Sequence, residues 1–258
     1  MCVAWASTPM RPEQQDAPVA LVTGGAGGLG AAICHALAEA GFRLVVAYRS
    51  SQGPAQALAA ELLGTGHRAV PASVTDSTAL QALSAQLDRC DVLVNCAGTT
   101  RFVAHADLDG LDDTLIDEIL ATNVRGAIAA TRALLPHLRS SAWPGGGVVI
   151  NISSIAARTG MGSNIAYCAS KAALDNLTLS LARALAPQVR VLSVAPGLVD
   201  TEFVKSLDVQ WRDRQAASTP LGRLAAPAEI GRAVVAAVRD LTFSTGCVIP
   251  VDGGRPLG

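Results

Sequence analysis

Short apolar runs alternate with longer, helix-like segments along most of this chain. Most of these runs are apolar at nearly every position, which is typical of strands buried on both faces of a sheet. Strands that alternate with helices indicate right-handed βαβ units, and therefore a parallel sheet with helices on both faces. The pattern predicts one doubly wound α/β domain with about seven strands. The predicted strands are residues 19–23, 44–48, 68–72, 91–95, 147–153, 189–194 and 247–251.

The segments between these runs predict helices at residues 31–40, 56–63, 77–87, 114–138, 165–185 and 227–241. Ser77 is the expected cap of the third helix, and Pro227 is the expected first residue of the last one. Residues 1–17 are expected to form a flexible N-terminal extension to a domain at 18–258. The mixed segment 198–220 follows a strand at the edge where ligands bind in such folds, and it is a candidate lid.

Composition excludes several classes of protein. The chain has 258 residues, is 50% hydrophobic and carries a net charge of −1, so neither disorder nor nucleic-acid binding through bulk charge is expected. No apolar run is long enough for a membrane span. The six cysteines include no C-x-x-C pair, and residues 1–17 do not resemble an export signal. We expect a cytoplasmic protein with reduced thiols and no metal site.

A glycine-rich turn joins the first predicted strand to the first helix. Residues 23–30 read TGGAGGLG and place Gly24, Gly28 and Gly30 in a G-x-x-x-G-x-G spacing. Glycine-rich turns are common, but a strand, such a turn and a helix N-terminus in succession present backbone N–H groups that favour a pyrophosphate. No Gly-Lys-Ser/Thr follows, which excludes a Walker-type loop. The segment predicts dinucleotide binding.

The end of the second strand indicates which dinucleotide is bound. A carboxylate about 20 residues beyond the turn would bind the ribose 2′-hydroxyl of NAD. This location holds Tyr48, Arg49 and Ser50 instead, with no acid. Arg49 could form a charge-assisted pair with a 2′-phosphate, although a solvated surface arginine is the alternative. The pattern favours NADP(H) over NAD(H).

Tyr167 and Lys171 lie four residues apart on the predicted helix 165–185, and this spacing places them on one face. Ser154 follows the strand at 147–153, at the same carboxyl edge of the sheet. Each residue alone has an ordinary structural explanation: a turn serine, a half-buried aromatic or a solvated charge. Tyr167 is, however, one of only two tyrosines in a chain that is 3% aromatic. Together the three residues are candidates for acid–base chemistry.

These motifs, in this order and spacing, resemble the short-chain dehydrogenase/reductase family over nearly all of residues 19–254. The segments at 220–224 (PLGRL) and 245–254 (TGCVIPVDGG) resemble its 3-oxoacyl-carrier-protein reductase branch. Other matching residues are Asn95, Ala97, Gly98, Asn123, Pro196, Gly197 and Thr201.

The resemblance implies a Rossmann fold and an NAD(P)-dependent oxidoreductase that moves a hydride between nicotinamide and a ketone or secondary alcohol. Tyr167 would be the general acid in reduction and the base in oxidation. Lys171 would stabilise the tyrosinate and hold the nicotinamide ribose, and Ser154 would donate a hydrogen bond to the substrate oxygen. Asn123 would anchor a water that links Lys171 to solvent.

The resemblance also implies the binding residues. It implies that Ser154 and Tyr167 contact the substrate, and that a homotetramer is built partly with the two long helices. Phe203 and Trp211 are expected as further substrate contacts because they are apolar residues of the candidate lid. The expected cofactor contacts are Gly24, Gly28, Leu29, Gly30, Tyr48, Arg49, Ser50, Ser73, Val74, Asn95, Ala97, Gly98, Tyr167, Lys171, Pro196, Gly197, Val199 and Thr201.

Some positions depart from the family pattern. Ser73 stands where an acid or amide often contacts adenine, and Cys96 replaces a second asparagine. Residues 143–147 (WPGGG) and 185–188 (LAPQ) carry no cation, so steering of an acidic acyl carrier protein is not supported there. The alternatives are an NAD(H)-dependent secondary-alcohol dehydrogenase and a non-catalytic nucleotide-binding regulator. A serine hydrolase is disfavoured, because Ser154 lies in no G-x-S-x-G elbow.

Overall fold

The structure is a computed structural model that describes residues 17–205 and 208–257, except for the side chain of Phe203. The expected N-terminal extension lies outside the described residues apart from Ala17.

A seven-stranded parallel sheet forms the centre of the molecule, in the order β3-β2-β1-β4-β5-β6-β7. The chain runs outward from β1 through β2 to β3, returns to place β4 beside β1, and then runs outward in the other direction. This arrangement confirms the predicted doubly wound Rossmann fold. The strands are β1 Val19–Thr23, β2 Arg43–Tyr48, β3 Arg68–Pro71, β4 Val92–Asn95, β5 Gly147–Ile152, β6 Val189–Pro196 and β7 Val248–Val251.

The six predicted helices are present, most with shifted ends, and three short helices were not predicted: Ala156–Thr159, Glu202–Lys205 and Val209–Ala217. The helices are α1 Gly28–Glu39, α2 Gln52–Glu61, α3 Ser77–Ser84, α4 Asp113–Leu120, α5 Gly126–Arg139, α6 Ala156–Thr159, α7 Ile165–Leu185, α8 Glu202–Lys205, α9 Val209–Ala217 and α10 Pro227–Arg239. A π-helical turn, Ala121–Arg125, joins α4 to α5, so the predicted long helix is one rod with a wider turn inside it. Helix α7 has the predicted bounds.

The predicted cap of α3 was wrong. Asp76, not Ser77, is the N-cap residue, and its carboxylate accepts the backbone N–H groups of Thr78 and Ala79 at 2.9 and 3.1 Å. Both residue types favour this position. The carboxylate also interacts favourably with the positive end of the helix dipole, which a serine hydroxyl does less well.

Alternate residues of each central strand point into two separate apolar clusters. In β1, Ala20 and Val22 pack in the cluster beneath α1, α2 and α10, whereas Val19 and Leu21 pack in the cluster beneath α3, α5 and α7. All four of these side chains are buried. This is why the strands are continuously apolar: both faces of the sheet are covered.

Small residues let α1 and α10 cross closely. A Cβ on Gly231 of α10 would lie 2.7 Å from the carbonyl oxygen of Ala32 and 2.9 Å from the Cβ of Ala36, both on α1. No side chain can occupy that space without moving a helix. The glycine- and alanine-rich composition of the chain therefore has a direct structural use at this crossing.

We expect Gly231→Ala to lower the free energy of unfolding by about 1–3 kcal/mol, because the added methyl group overpacks this crossing. Thermal unfolding would measure this as a loss of roughly 2–4 °C for each kcal/mol. Gly53→Ala in α2 is the matched control, since a Cβ there meets nothing within 4 Å. Its Tm should stay unchanged or rise slightly. Equal Tm values for the Gly231→Ala variant and the parent chain would contradict the proposed close contact.

No described helix is both long and apolar enough to cross a membrane. The five cysteines within the described residues are free thiols.

Candidate active site

The site begins where the strand order reverses, between β1 and β4. Thr23 ends β1 and lies in register with Asn95, which ends β4. The Thr23 hydroxyl accepts the backbone N–H groups of Cys96 and Ala97, each at 3.1 Å, and donates to the carbonyl of Val94 at 3.3 Å. One threonine therefore holds the loop after β4 against the loop after β1.

The glycine-rich turn is shaped by backbone contacts that exclude side chains. Gly24 has φ +64°, and a Cβ there would lie 2.9 Å from the Cα of Ala97. A Cβ on Gly30 would lie 2.3 Å from the Gly24 carbonyl oxygen. Gly27 is at the N-cap position of α1 and has no side chain that could bond the free N–H groups there. The first turn of α1 contains no acidic residue, and Leu29 within it is half-buried. An uncapped helix N-terminus with glycine walls fits a pyrophosphate.

At the end of β2, the residues expected to contact the adenosine side of the cofactor differ in how exposed they are. Tyr48 is buried, and its side chain packs in the apolar cluster beneath α1 and α2. Arg49 and Ser50 follow it and are exposed. After β3, the Ser73 hydroxyl lies 2.9 Å from the Thr75 hydroxyl. Val74 is buried and packs against Gly126, the first residue of α5 after the π-helical turn.

Helix α7 brings Tyr167 and Lys171 together. The Lys171 Nζ lies 5.6 Å from the centroid of the Tyr167 ring and donates a hydrogen bond to the carbonyl of Ile152, the last residue of β5, at 2.8 Å. Lys171 is only 7% exposed, whereas Tyr167 is half-buried. A Cβ on Gly98, after β4, would lie 3.8 Å from this Nζ. The ammonium group therefore stands between α7 and the ends of β4 and β5.

Ser154 lies two residues beyond β5, close in sequence to Ile152. Its hydroxyl oxygen accepts the backbone N–H of Ala156 at 3.1 Å, and the residue is half-buried. Because the oxygen serves as the acceptor in this bond, the hydroxyl proton is available to another acceptor.

Asn123 lies in the π-helical turn and is buried. Its side-chain oxygen accepts the Thr99 backbone N–H at 2.8 Å. Its amide donates to the Thr99 carbonyl at 3.2 Å and to the Ser170 hydroxyl at 3.0 Å. π-helical turns are often found at functional sites, and here the wider turn coincides with a predicted site residue. Asn123 joins the loop after β4 to α7.

The Asn95 side chain belongs to a buried polar network. Its amide donates to Asn151 at 2.9 Å and to Thr131 at 3.3 Å, and the Asn151 amide donates to Thr178 of α7 at 2.8 Å. Asn95 and Asn151 are register partners in β4 and β5. The network ties these strands to α5 and α7 beneath the site.

Cys96 replaces a family asparagine without becoming reactive. Burial raises the pKa of its thiol to about 11, and the positive charge of Lys171 opposes that shift only in part. The thiol therefore stays protonated near neutral pH.

The end of β6 completes the site. Pro196 is its last residue, and Gly197 packs so closely on Asp252 that a Cβ would lie 2.9 Å from the Asp252 Cα. Val199 is buried and bridges to Ala225. Thr201 lies opposite the N-terminus of α1, since a Cβ on Gly28 would be 3.8 Å from the Thr201 Cβ.

The candidate lid contains α8 and α9. An ion pair of 2.8 Å joins Arg212 of α9 to Asp200, and the Arg255 guanidinium donates to Gln215 near the end of α9. Trp211 is half-buried on α9, and the described contacts do not join it to Tyr167. The side chain of Phe203 lies outside the described residues, so its expected substrate contact stays a prediction.

Two cavities lie near these elements but are not lined by Ser154, Tyr167 or Lys171. One of about 250 Å³ lies between the lid base and β7, and one of about 290 Å³ lies between α6 and α7.

Sequence reasoning missed Asn164, which caps α7 three residues before Tyr167. An asparagine immediately before a predicted helix is a capping signal, so the residue could have been found. It also missed Ser170 and Thr99, whose partners come from distant parts of the chain and leave no local pattern.

A family model described as "short chain dehydrogenase" matches residues 18–211 of this chain. The chain belongs to that family. A "granaticin polyketide synthase putative ketoacyl reductase 2" from Streptomyces violaceoruber is 38% identical over 252 residues, which cover 96% of this chain and all of the relative. A cis-4-hydroxycyclohexanecarboxylate dehydrogenase from Sinomonas cyclohexanicum is 36% identical over 244 residues, 92% of this chain and 95% of the relative.

A solved structure of a short chain dehydrogenase/reductase family protein has a TM-score of 0.81 and 33% identity, and the match covers 95% of this chain and 100% of that one. These findings confirm the predicted family, the Rossmann fold and the likeness to ketoacyl reductases. This short chain dehydrogenase is accordingly an NAD(P)-dependent oxidoreductase.

Proposed function

We propose that this enzyme uses NADP(H) to interconvert a ketone and a secondary alcohol, with Tyr167 as the proton donor or acceptor. The observation that carries the proposal is the placement of Tyr167 beside Lys171, whose Nζ is held by the Ile152 carbonyl at the carboxyl edge of the sheet. An alternative regulator without turnover would have no need to keep a buried ammonium group beside a half-exposed phenol.

The residues present fit a nicotinamide dinucleotide. The uncapped N-terminus of α1, with its glycine walls, suits a pyrophosphate, and Thr201 faces it from the end of β6. When bound, the cofactor supplies or accepts the hydride. The backbone after β4 and β6 and the Lys171 ammonium would hold its nicotinamide half. The residues proposed to hold the pyrophosphate and the nicotinamide half together are Gly24, Gly28, Leu29, Gly30, Ala97, Gly98, Lys171, Pro196, Gly197, Val199 and Thr201.

Three side chains then divide the work at the substrate oxygen. Ser154 has its hydroxyl proton free to donate to that oxygen, where negative charge develops during reduction. Tyr167 gives its proton to the oxygen in reduction and takes it back in oxidation. The Lys171 ammonium stabilises the tyrosinate formed by this transfer, at a place that the protein shields from water.

Asn123 supports proton supply from the far side of Lys171. Its side chain binds Thr99 and Ser170, so it holds the π-helical turn against the loop after β4 and α7. A water held by this turn would connect the Lys171 ammonium with solvent.

The substrate is proposed as a carbonyl compound with an apolar portion, either 3-oxoacyl or cyclic. The named relatives include both a ketoacyl reductase and a dehydrogenase of a hydroxylated ring. The lid at 198–220, with Phe203 and Trp211, would cover that portion. Residues 143–147 and 185–188 contain no lysine or arginine that could attract an acidic carrier protein, so such a carrier is not part of the proposal.

We expect Tyr167→Phe to retain NADPH binding and to lose about 10²–10⁴-fold in the rate of carbonyl reduction, because only the exchangeable proton is removed. NADPH absorbance follows turnover of a panel of ketones, β-keto esters and acyl thioesters. Binding of NADPH, followed by its fluorescence, is the control for an intact fold. Turnover close to that of the parent enzyme would contradict the role assigned to Tyr167.

The proposed cofactor preference rests on Arg49; Ser50, Ser73 and Val74 are the other contacts expected at the adenosine end. Arg49→Ala should weaken NADPH binding about 10- to 100-fold, the loss of one charge-assisted hydrogen-bonded pair, and leave NADH binding nearly unchanged. Arg239→Ala, an exposed arginine at the end of α10, is the matched control and should change neither. An equal loss for both cofactors would show that Arg49 does not read the 2′-phosphate.

A homotetramer is proposed from the surface of the α4–α5 rod. Its exposed side is acidic at Asp113 and Asp117, apolar at Leu120 and Ile128, and basic at Arg125 and from Arg132 onward. Two copies paired antiparallel across a two-fold axis would match acid with base and bury the apolar centre.

The enzyme is also proposed to act in the cytoplasm.

Sedimentation in moderate salt should give a species near four times the chain mass of 26.3 kDa. A combined Leu120→Glu and Ile128→Glu variant should sediment as smaller species, since it puts like charges at the centre of the paired face. A stable monomer for the parent chain at micromolar concentration would refute the assembly.

A further inference from the structure

Asn164 is a buried polar residue that the mechanism above does not use. It is 1% exposed, and both ends of its side chain are occupied. Its oxygen accepts the backbone N–H of Tyr167 at 2.7 Å. Its amide donates to the carbonyl of Arg101 at 2.7 Å and to the Thr100 hydroxyl at 3.2 Å. The side chain therefore spans from the start of α7 to the loop after β4.

Tyr167 depends on that span more than Lys171 does. Tyr167 is the third residue of α7, within the first turn, where backbone N–H groups have no partner inside the helix. Its N–H is bound by Asn164 instead. Lys171 lies a turn further along, inside the regular part of the helix, and its Nζ is anchored separately on the Ile152 carbonyl.

The carbonyl of Tyr167 is held by a parallel chain of contacts. It accepts the Ser170 hydroxyl at 2.7 Å, Ser170 accepts the Asn123 amide at 3.0 Å, and Asn123 accepts the Thr99 N–H at 2.8 Å. Both backbone groups of Tyr167 are thus connected, each through polar side chains, to consecutive residues of the loop after β4. That loop also carries Gly98, which lies beside the Lys171 ammonium.

We propose that Asn164 is a positioning residue that sets the Tyr167 hydroxyl relative to the loop after β4, and so relative to the nicotinamide and the substrate oxygen. The inference rests on the proposed function of Tyr167. The bridge to Arg101 is the part that matters for catalysis, whereas the cap on Tyr167 serves the helix. A displacement of the proton donor by about 1 Å can cost as much as 10²-fold in rate.

The two roles are separated by substituting Asn164 with residues that cap equally well but cannot bridge. Serine and aspartate are as favourable as asparagine at an N-cap. Serine is too short to reach the Arg101 carbonyl, and aspartate has no amide proton to donate to it. If Asn164 only caps the helix, Asn164→Ser and Asn164→Asp should both behave as the parent enzyme does.

We expect Asn164→Ser to lower kcat by about 10- to 100-fold, with KM and NADPH binding changed by less than about twofold. Asn164→Asp is the second variant and should show the same loss. Asp76→Ser, which replaces the cap of α3 with another good capping residue, is the matched control and should keep kcat within about twofold. Thermal unfolding of all three variants verifies that they are folded.

The deciding measurement repeats Asn164→Ser in the Tyr167→Phe background, with single turnovers at high enzyme concentration. A residue that acts through the Tyr167 hydroxyl should change the residual rate by less than about twofold there. The same 10- to 100-fold loss in both backgrounds would overturn the proposal, as would a parent-like kcat in either single variant. A fully active Tyr167→Phe enzyme would instead refute the proposed function itself, and the role of Asn164 with it.

Discussion

Parallel pairing of the strands is the constraint on which the rest of this molecule depends. All seven strands run in one direction, so the ends of β1, β4, β5 and β6 meet at one edge of the sheet. Backbone hydrogen bonds set their register, for example Thr23 with Asn95 and Asn95 with Asn151. Every residue implicated in chemistry follows one of these ends or lies on a helix packed beside them. The turns and loops at this edge therefore only have to orient side chains that the sheet has already brought close together.

Beneath that edge lies a layer of buried polar side chains joined by hydrogen bonds. Asn95, Asn151 and Thr178 connect two neighbouring strands to α7, and Thr131 adds α5. Groups of this kind are costly to bury unpaired, so their mutual hydrogen bonds favour one arrangement of strands and helices. The Lys171 ammonium donates to the carbonyl of Ile152, the residue that follows Asn151 in β5. Precise placement of one charged group is thereby tied to the core packing.

Much of the fold and of the site followed from local pattern. Helix α7 has its predicted bounds because its start is capped and its apolar positions repeat at helical spacing. The glycine turn is recognisable from its spacing. The structure gives the reason for that spacing, since close backbone approach at Gly24 and Gly30 admits no side chain. The capping residue of α3 was misassigned because aspartate and serine stand side by side, and both cap well.

Sequence alone determined the alternation of strands and helices, the spacing of Tyr167 and Lys171 on one helical face, and the glycine positions of the first turn. These are local properties, set by backbone geometry and by the period of apolar residues. Tertiary structure alone decided that Asn164 joins Tyr167 to Arg101, that Asn123 joins Thr99 to Ser170, and that the Asn95 side chain turns inward. Such contacts connect residues far apart in the chain. They exist only after the parallel sheet has brought its strand ends together, so no local pattern carries them.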